Sequence, residues 1–239
     1  MKVWGYWATL GWALLAFLAG QFIALAALLL LRLSDLGSVL ATPFDGRQVA
    51  LFILIANPVT IAIVVLAVAF TRAPQTDYLA LTLPPARDLW IGLASLVVLI
   101  AAGDAVLYFG GYALVTQFQL QSFTTAAAEG WLPALLVGAV IVAPAGEEVL
   151  FRGFLFRGWV RSRRATWPAI VLISVLWALL HVQYDWTGML QIFVIGLFLG
   201  WMRARSGATL LTFLLHALFN LEGMMETALQ VHFFAASPH

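Results

Sequence analysis

Cysteine is missing from all 239 residues. Its absence excludes disulfide staples, thiolate metal sites and a cysteine nucleophile. Charge is scarce: Asp, Glu, Lys and Arg together make up 10% of the chain, against about 25% in an ordinary soluble domain. So few charges do not cover the surface of a soluble globule. Neither sign dominates, since the formal net charge is +1. That balance offers no electrostatic basis for binding nucleic acid. Internal repeats and low-complexity tracts are also lacking. What is present is apolar: 63% of residues are hydrophobic and 13% aromatic. This composition excludes intrinsic disorder and places the bulk of the chain in lipid.

A helix that crosses the hydrocarbon needs about 20 apolar residues. Trp4 to Leu31 carries no charge, with Lys2 before it and Arg32 after it. Its apolar run is too long for a signal peptide and reads as an uncleaved anchor. Further spans are expected at Val49–Phe70, Leu89–Tyr112, Trp131–Phe156, Pro168–Val182, Met189–Met202 and Ala208–Leu221. The last three are short and are expected to be buried among the others or to sit in locally thinned bilayer. Asn57-Pro58 is expected to kink the second span. Residues 222–239 leave two options for Met224–Phe234, a short eighth helix or an interfacial one. The fold class is therefore all-α, a polytopic transmembrane helical bundle of seven to eight spans. An N-terminal part, 1–130, holds three spans, and 131–239 holds the rest. Stretch 73–88, with Pro74, Pro84 and Pro85, reads as a seam between helical halves.

Basic residues set the orientation. With the N-terminus inside, the inner segments hold Lys2, Arg72, Arg87, Arg157, Arg161, Arg163, Arg164, Arg203 and Arg205. The outer segments hold only Arg32 and Arg47. An N-inside, multi-pass protein of the cell (inner) membrane is the expectation. Asp35, Asp45, Asp77, Asp88, Asp185, Glu222 and Glu226 fall in loops or at span ends, where solvation is expected, and the tail residues His232 and His239 have no evident role.

Ionisable groups inside a bilayer are costly, so each one is a functional candidate. The fourth span carries Glu147, Glu148 and Arg152, the fifth His181, and the seventh His216 with Asn220. At about 1.5 Å per residue from the inner boundary, Glu147 lies roughly 15 Å deep, His181 roughly 21 Å, His216 about 14 Å and Asn220 about 20 Å. Three helices thus deliver polar groups to one layer. Glu148 and Arg152 are four apart, so they share a helix face and can pair. Glu147 is rotated about 100° from Glu148 and has no such partner in its own helix. His216 and Asn220 are also four apart, so two donors can address one spot. Trp177 stands four before His181 and is a candidate pocket wall, packing being its plain alternative. Asp104 is alone on the third span, where a helix–helix hydrogen bond is the expectation.

A carboxylate with a histidine can hold and deprotonate a water. A second histidine with an asparagine can stabilise a tetrahedral oxyanion. Amide hydrolysis by an activated water uses both. The same groups could ligate zinc, but asparagine is a poor ligand, so a metal-free site with no cofactor is favoured and zinc is the alternative.

These residues resemble a known family. Glu147-Glu148-Val149-Leu150-Phe151-Arg152 is similar to the EExxxR motif of the CPBP family, the type II CAAX prenyl endoproteases and bacteriocin-processing enzymes also called the abortive-infection family. Trp177 to His181 resembles its second motif, an aromatic four before a histidine, with Trp where Phe is usual. His216 to Asn220 is similar to its HxxxN motif, and Gly196–Ser206 to the approach to it. The resemblance covers about residues 131–221. It implies an intramembrane endopeptidase of the glutamic type, many of whose relatives are labelled metalloproteases. Glu147 and His181 would activate the water, His216 and Asn220 would form the oxyanion hole, and Glu148 and Arg152 would support them. Gly196 and Gly200 fit close helix packing.

Two other readings compete. One is a non-catalytic immunity or scaffold protein that keeps the fold; the intact motifs speak against it. The other is a proton-coupled transporter, which Asp104 would serve; such proteins tend to show repeat symmetry. The expected partners are the lipid bilayer and a peptide or protein substrate at the membrane, with no nucleic acid. Prenyl recognition and oligomeric state are not encoded in any motif.

Overall fold

The computed structural model describes residues 2–31 and 45–234. Arg32, Asp35 and His239, to which expectations were attached, lie outside the described residues. Eight main helices run in chain order among the described residues. They are α1 (Tyr6–Leu30), α2 (Gly46–Ala69), α3 (Ala86–Gly110), α4 (Gln117–Ala128), α5 (Leu132–Trp159), α6 (Thr166–Leu179), α7 (Trp186–Ser206) and α8 (Thr209–Phe234). There is no strand among the described residues. The protein is an all-helical polytopic membrane bundle, and α1, α2, α3, α5 and α7 are long and apolar enough to cross a bilayer. With 14 residues, α6 is about 21 Å long, short of the roughly 30 Å hydrocarbon core. It lies along α7.

Local chemistry sets most boundaries. Asp45 caps α2 by accepting from Gln48 N at 2.8 Å, and Asp185 caps α7 by accepting from Gly188 N at 2.9 Å. Side-chain acceptors at these positions satisfy helix-end N–H groups that have no partner within the helix. At the other end of α7, Gly207 takes φ +71°, a left-handed turn that glycine adopts without steric cost. α2 runs continuously through Pro58, with the preceding Asn57 Nδ2 donating to Ile53 O at 3.2 Å.

Several expectations are corrected. Stretch 113–130, left between the expected third and fourth spans, contains α4. Its Thr116 and Gln119 form a reciprocal capping box, a sequence signal for a helix start. α8 runs unbroken to Phe234, so Met224–Phe234 continues the helix that carries His216 rather than forming a helix of its own. Asp88 is buried and paired with Arg205 at 2.8 Å instead of solvated. Glu222 and Glu226 are also not free ends. One helical turn apart on α8, they meet Asp104 of α3, with carboxylate oxygens of all three within 4.8 Å of one another.

Among the described residues the larger of two hydrophobic clusters runs through the bundle, from Ala13 and Ala16 of α1 through Val64 of α2 and Phe154 of α5 to Leu211 and Leu215 of α8. Trp177 is the bulkiest fully buried side chain in it. Two glycines bring helices together beside the polar residues. A Cβ at Gly146 would lie 2.3 Å from Asn57 Oδ1, and one at Gly196 would lie 2.9 Å from Ser174 Cβ and 3.1 Å from Trp177. Only a residue without a side chain allows α5 that close to α2, and α7 that close to α6.

Candidate active site

The helix bearing the two glutamates is not a regular α-helix. α5 widens into π-turns over Gly138–Val142 and again over Val149–Leu155. Pro144 explains the first. It has no N–H and its ring crowds the preceding turn, so the ladder slips there by one residue. Ala143 N–H, which would serve Ala139 O in an α-helix, bonds Gly138 O instead. The next residue, Pro144, has no proton to offer, so Ala139 O is left without a helical donor. Asn220 of α8 takes that carbonyl, its Nδ2 donating at 2.8 Å. The second π-turn repeats the pattern. Phe156 N–H bonds Phe151 O, and Arg203 Nε of α7 donates to Arg152 O at 3.0 Å. In an apolar surrounding every backbone acceptor requires such a partner, so both irregularities join α5 to its neighbours.

Between the π-turns lie the acids. Glu148 and Arg152 are fully buried and paired at 2.7 Å. The same Glu148 Oε1 accepts from His216 Nδ1 at 3.0 Å. Arg152 also donates through Nη2 to Gly196 O at 3.3 Å and lies 4.5 Å over the Trp177 ring. Glu147 turns to another side, as the 100° rotation requires, and is partly exposed. Its Oε2 accepts from Trp177 Nε1.

Trp177 is the centre of the site. Its indole meets the His181 ring edge-on at 5.3 Å and the His216 ring edge-on at 5.1 Å. One side chain therefore touches Glu147, His181, His216 and Arg152. His181 sits just past the end of α6, with its Nδ1 2.8 Å from Trp177 O. Tyr184, which sequence reasoning overlooked, stacks on His181 at 6.1 Å with an interplanar angle of 8°. Burial, with the Glu147 carboxylate second, pushes the Tyr184 phenol up to about 12, so it is a neutral donor at physiological pH. An aromatic three residues after a motif histidine was its available signal.

The hydrogen-bond partners assign the histidine tautomers. A carbonyl and a carboxylate can only accept, so Nδ1 carries the proton in both rings. His181 then presents an Nε2 lone pair, and so does His216 in its neutral form. Glu147, His181 and His216 do not bring three ligand atoms within 4.8 Å of one another. Among the described residues the set that does is Asp104, Glu222 and Glu226. For zinc to be held by the motif residues, their ligand atoms would have to draw closer together than they are.

All seven sequence candidates thus lie on α5, α6 and its end, and α8. Six of them gather around Trp177 and the Glu148 carboxylate. Asn220 is engaged one turn beyond His216, by Ala139 O, and not on the same partner as His216.

Comparison with known proteins agrees with the motif resemblance. Residues 129–221 match the family model described as type II CAAX prenyl endopeptidase Rce1-like. The chain is 37% identical over 84 residues to an uncharacterised 24.3 kDa protein of Escherichia coli, covering 34% of this chain and 38% of that protein. It is 28% identical over 112 residues to the UPF0177 protein YxdF of Lactococcus lactis, covering 46% of this chain and 60% of that one. The chain thus spans less than two thirds of the length of either relative. No solved structure matches it.

Proposed function

We propose that the protein is an intramembrane endopeptidase of the CAAX-protease kind, acting on a peptide or protein substrate without a metal. The observation that carries the reading is the convergence of Glu147, His181 and His216, from three helices, on the indole of Trp177. The family match over residues 129–221 supports the same class of activity. The cell membrane is the proposed location, with the N-terminus inside, on the basis of the Lys and Arg asymmetry.

In this mechanism a water is held between Glu147 and the Nε2 lone pair of His181. Trp177 fixes one oxygen of Glu147 and leaves the other for the water. The water oxygen attacks the scissile carbonyl carbon, and its proton passes to the carboxylate–imidazole pair. The carbonyl π electrons move to oxygen. The resulting oxyanion is met by the Asn220 amide proton not spent on Ala139 O and by His216. His216 donates from Nε2 only as imidazolium, because its Nδ1 proton already points at Glu148. Glu148 stabilises that cation, and this gives the second glutamate of the motif a chemical task. Collapse of the intermediate breaks the C–N bond, and the proton taken from the water goes to the leaving amine.

Glu147→Gln removes the base and keeps the shape. It is expected to abolish cleavage in a membrane-proteome comparison of new peptide termini, with the variant still folded and inserted. Full activity in that variant would exclude the mechanism.

A further inference from the structure

At one end of the bundle two arginines, Arg157 and Arg203, have no carboxylate partner among the described residues. Arg203 of α7 is 6% exposed. Its guanidinium lies 5.0 Å over the Phe156 ring and makes one hydrogen bond, from Nε to Arg152 O. Five donors are available on that group, and no carboxylate is within ion-pair distance of it among the described residues. Its charged neighbour is another cation, since Arg157, in the last turn of α5, is close enough for its charge to act on Arg203. Arg157 Nε is itself buried without a partner. Both Arg157 and Arg161 also act on the phenol of Tyr78. Burial pushes Tyr78 up, while the hydrogen bond from Trp4 N–H and the two arginines oppose the shift. A buried cation without a partner is costly, and a second cation beside it adds repulsion. The arrangement is complete only with an anion.

The depth of the pocket indicates which anion. Arg157 and Arg203 end α5 and α7, at the end of the bundle where α1, α3 and α6 begin. The exposed aromatics Trp7, Trp90 and Trp167 stand within the first five residues of those three helices, the arrangement of an interfacial belt at headgroup level. Exposed Arg163 and Arg164 lie just beyond. We propose that Arg157 and Arg203 bind the phosphate of an anionic phospholipid headgroup between α5 and α7. Two guanidinium forks match phosphate oxygens geometrically as well as in charge, and inter-helix basic pockets at the membrane face are suited to such headgroups. The site lies about ten residues, roughly 15 Å, from Glu147, and its occupancy does not depend on the proposed hydrolysis.

The test is thermal unfolding of the full chain in zwitterionic micelles, followed by tryptophan fluorescence. Short-chain phosphatidylglycerol, short-chain phosphatidylcholine and inorganic phosphate are titrated separately. A ligand that binds the folded state raises the melting temperature, and the rise grows with the logarithm of its concentration once that exceeds Kd. Phosphatidylglycerol is expected to raise it and phosphatidylcholine to leave it unchanged. Arg157→Gln is expected to weaken the apparent affinity about tenfold or more, a loss of at least about 1.4 kcal/mol. The surface double variant Arg163→Gln/Arg164→Gln should retain the native affinity. Arg203→Gln should behave like Arg157→Gln if it folds. A shift from inorganic phosphate equal to that from phosphatidylglycerol would overturn the lipid as the source. No shift from phosphatidylglycerol, an undiminished shift in Arg157→Gln, or an equal loss in the surface double variant would overturn the site.

Discussion

At the scale of the residue, Trp177 changes role between sequence and structure. Spacing alone makes it a wall beside His181. In the structure it donates to Glu147, lies under Arg152 and separates the two imidazoles. A hydrogen bond to a charged group contributes about 1.5–3 kcal/mol. Trp177→Phe keeps a ring for Arg152 and the histidines but removes the donor. It is expected to lower kcat by about ten- to a hundredfold, with KM little changed and the melting temperature lowered only by the loss of that one hydrogen bond. A variant that melts early yet cleaves normally would reduce Trp177 to packing. His216 was equally unreadable in one respect. Its distance from Asn220 along the helix predicts two donors addressing one spot, but nothing within α8 foretells that Glu148 of α5 engages its Nδ1.

At the scale of the element, Pro144 and Asn220 form one device. The proline frees Ala139 O, and the asparagine occupies it from another helix. Leaving a buried carbonyl unpaired costs about 1–3 kcal/mol, so Asn220→Ala should lose roughly that much stability. It should also lose about 10²–10³ in rate if its second proton serves the oxyanion. Pro144→Ala returns an N–H to the ladder. In that background the stability cost of Asn220→Ala should shrink, while the rate cost should not. A double-mutant cycle by thermal melting measures the coupling; strict additivity of the two substitutions would remove the cap. The capping box of α4 was legible in Thr116 and Gln119, but a stretch without a basic residue between two apolar spans read as loop. The motif at 147–152 was legible by its letters, whereas the π-turns around it were not, because they depend on which partner takes each freed carbonyl.

At the scale of the whole molecule, the Glu148–Arg152 pair is where α5, α6, α7 and α8 meet. Arg152 reaches Gly196 O and the Trp177 ring, and Glu148 reaches His216. Arg152→Ala would strand a buried carboxylate and is expected to cost about 3–5 kcal/mol of stability, read from the unfolding midpoint. Adding Glu148→Gln should recover part of that loss, because the uncompensated charge disappears. An isolated Arg152→Ala effect under about 1 kcal/mol, the size of an exposed pair, would mean that water reaches the pair. Burial at this scale also reassigns residues that a loop-by-loop reading leaves in solvent. Asp88 pairs with Arg205, Arg203 is enclosed, and Glu222 and Glu226 face Asp104 across α3 and α8.

Composition and apolar run length by themselves determined that this chain is a membrane helical bundle, since neither depends on which helix meets which. Spacing along each helix likewise selected the acid, the imidazoles, the amide and the indole, because three or four residues bring side chains onto one face wherever that face points. Only the tertiary structure decided the pairings: Glu147 with Trp177, His216 with Glu148, Asn220 with a carbonyl that Pro144 released. The physical reason is that hydrogen bonds between helices depend on rotation and height to within an ångström or two. Those are set by glycine contacts and core packing summed over the whole bundle, and no local stretch of the chain carries that sum.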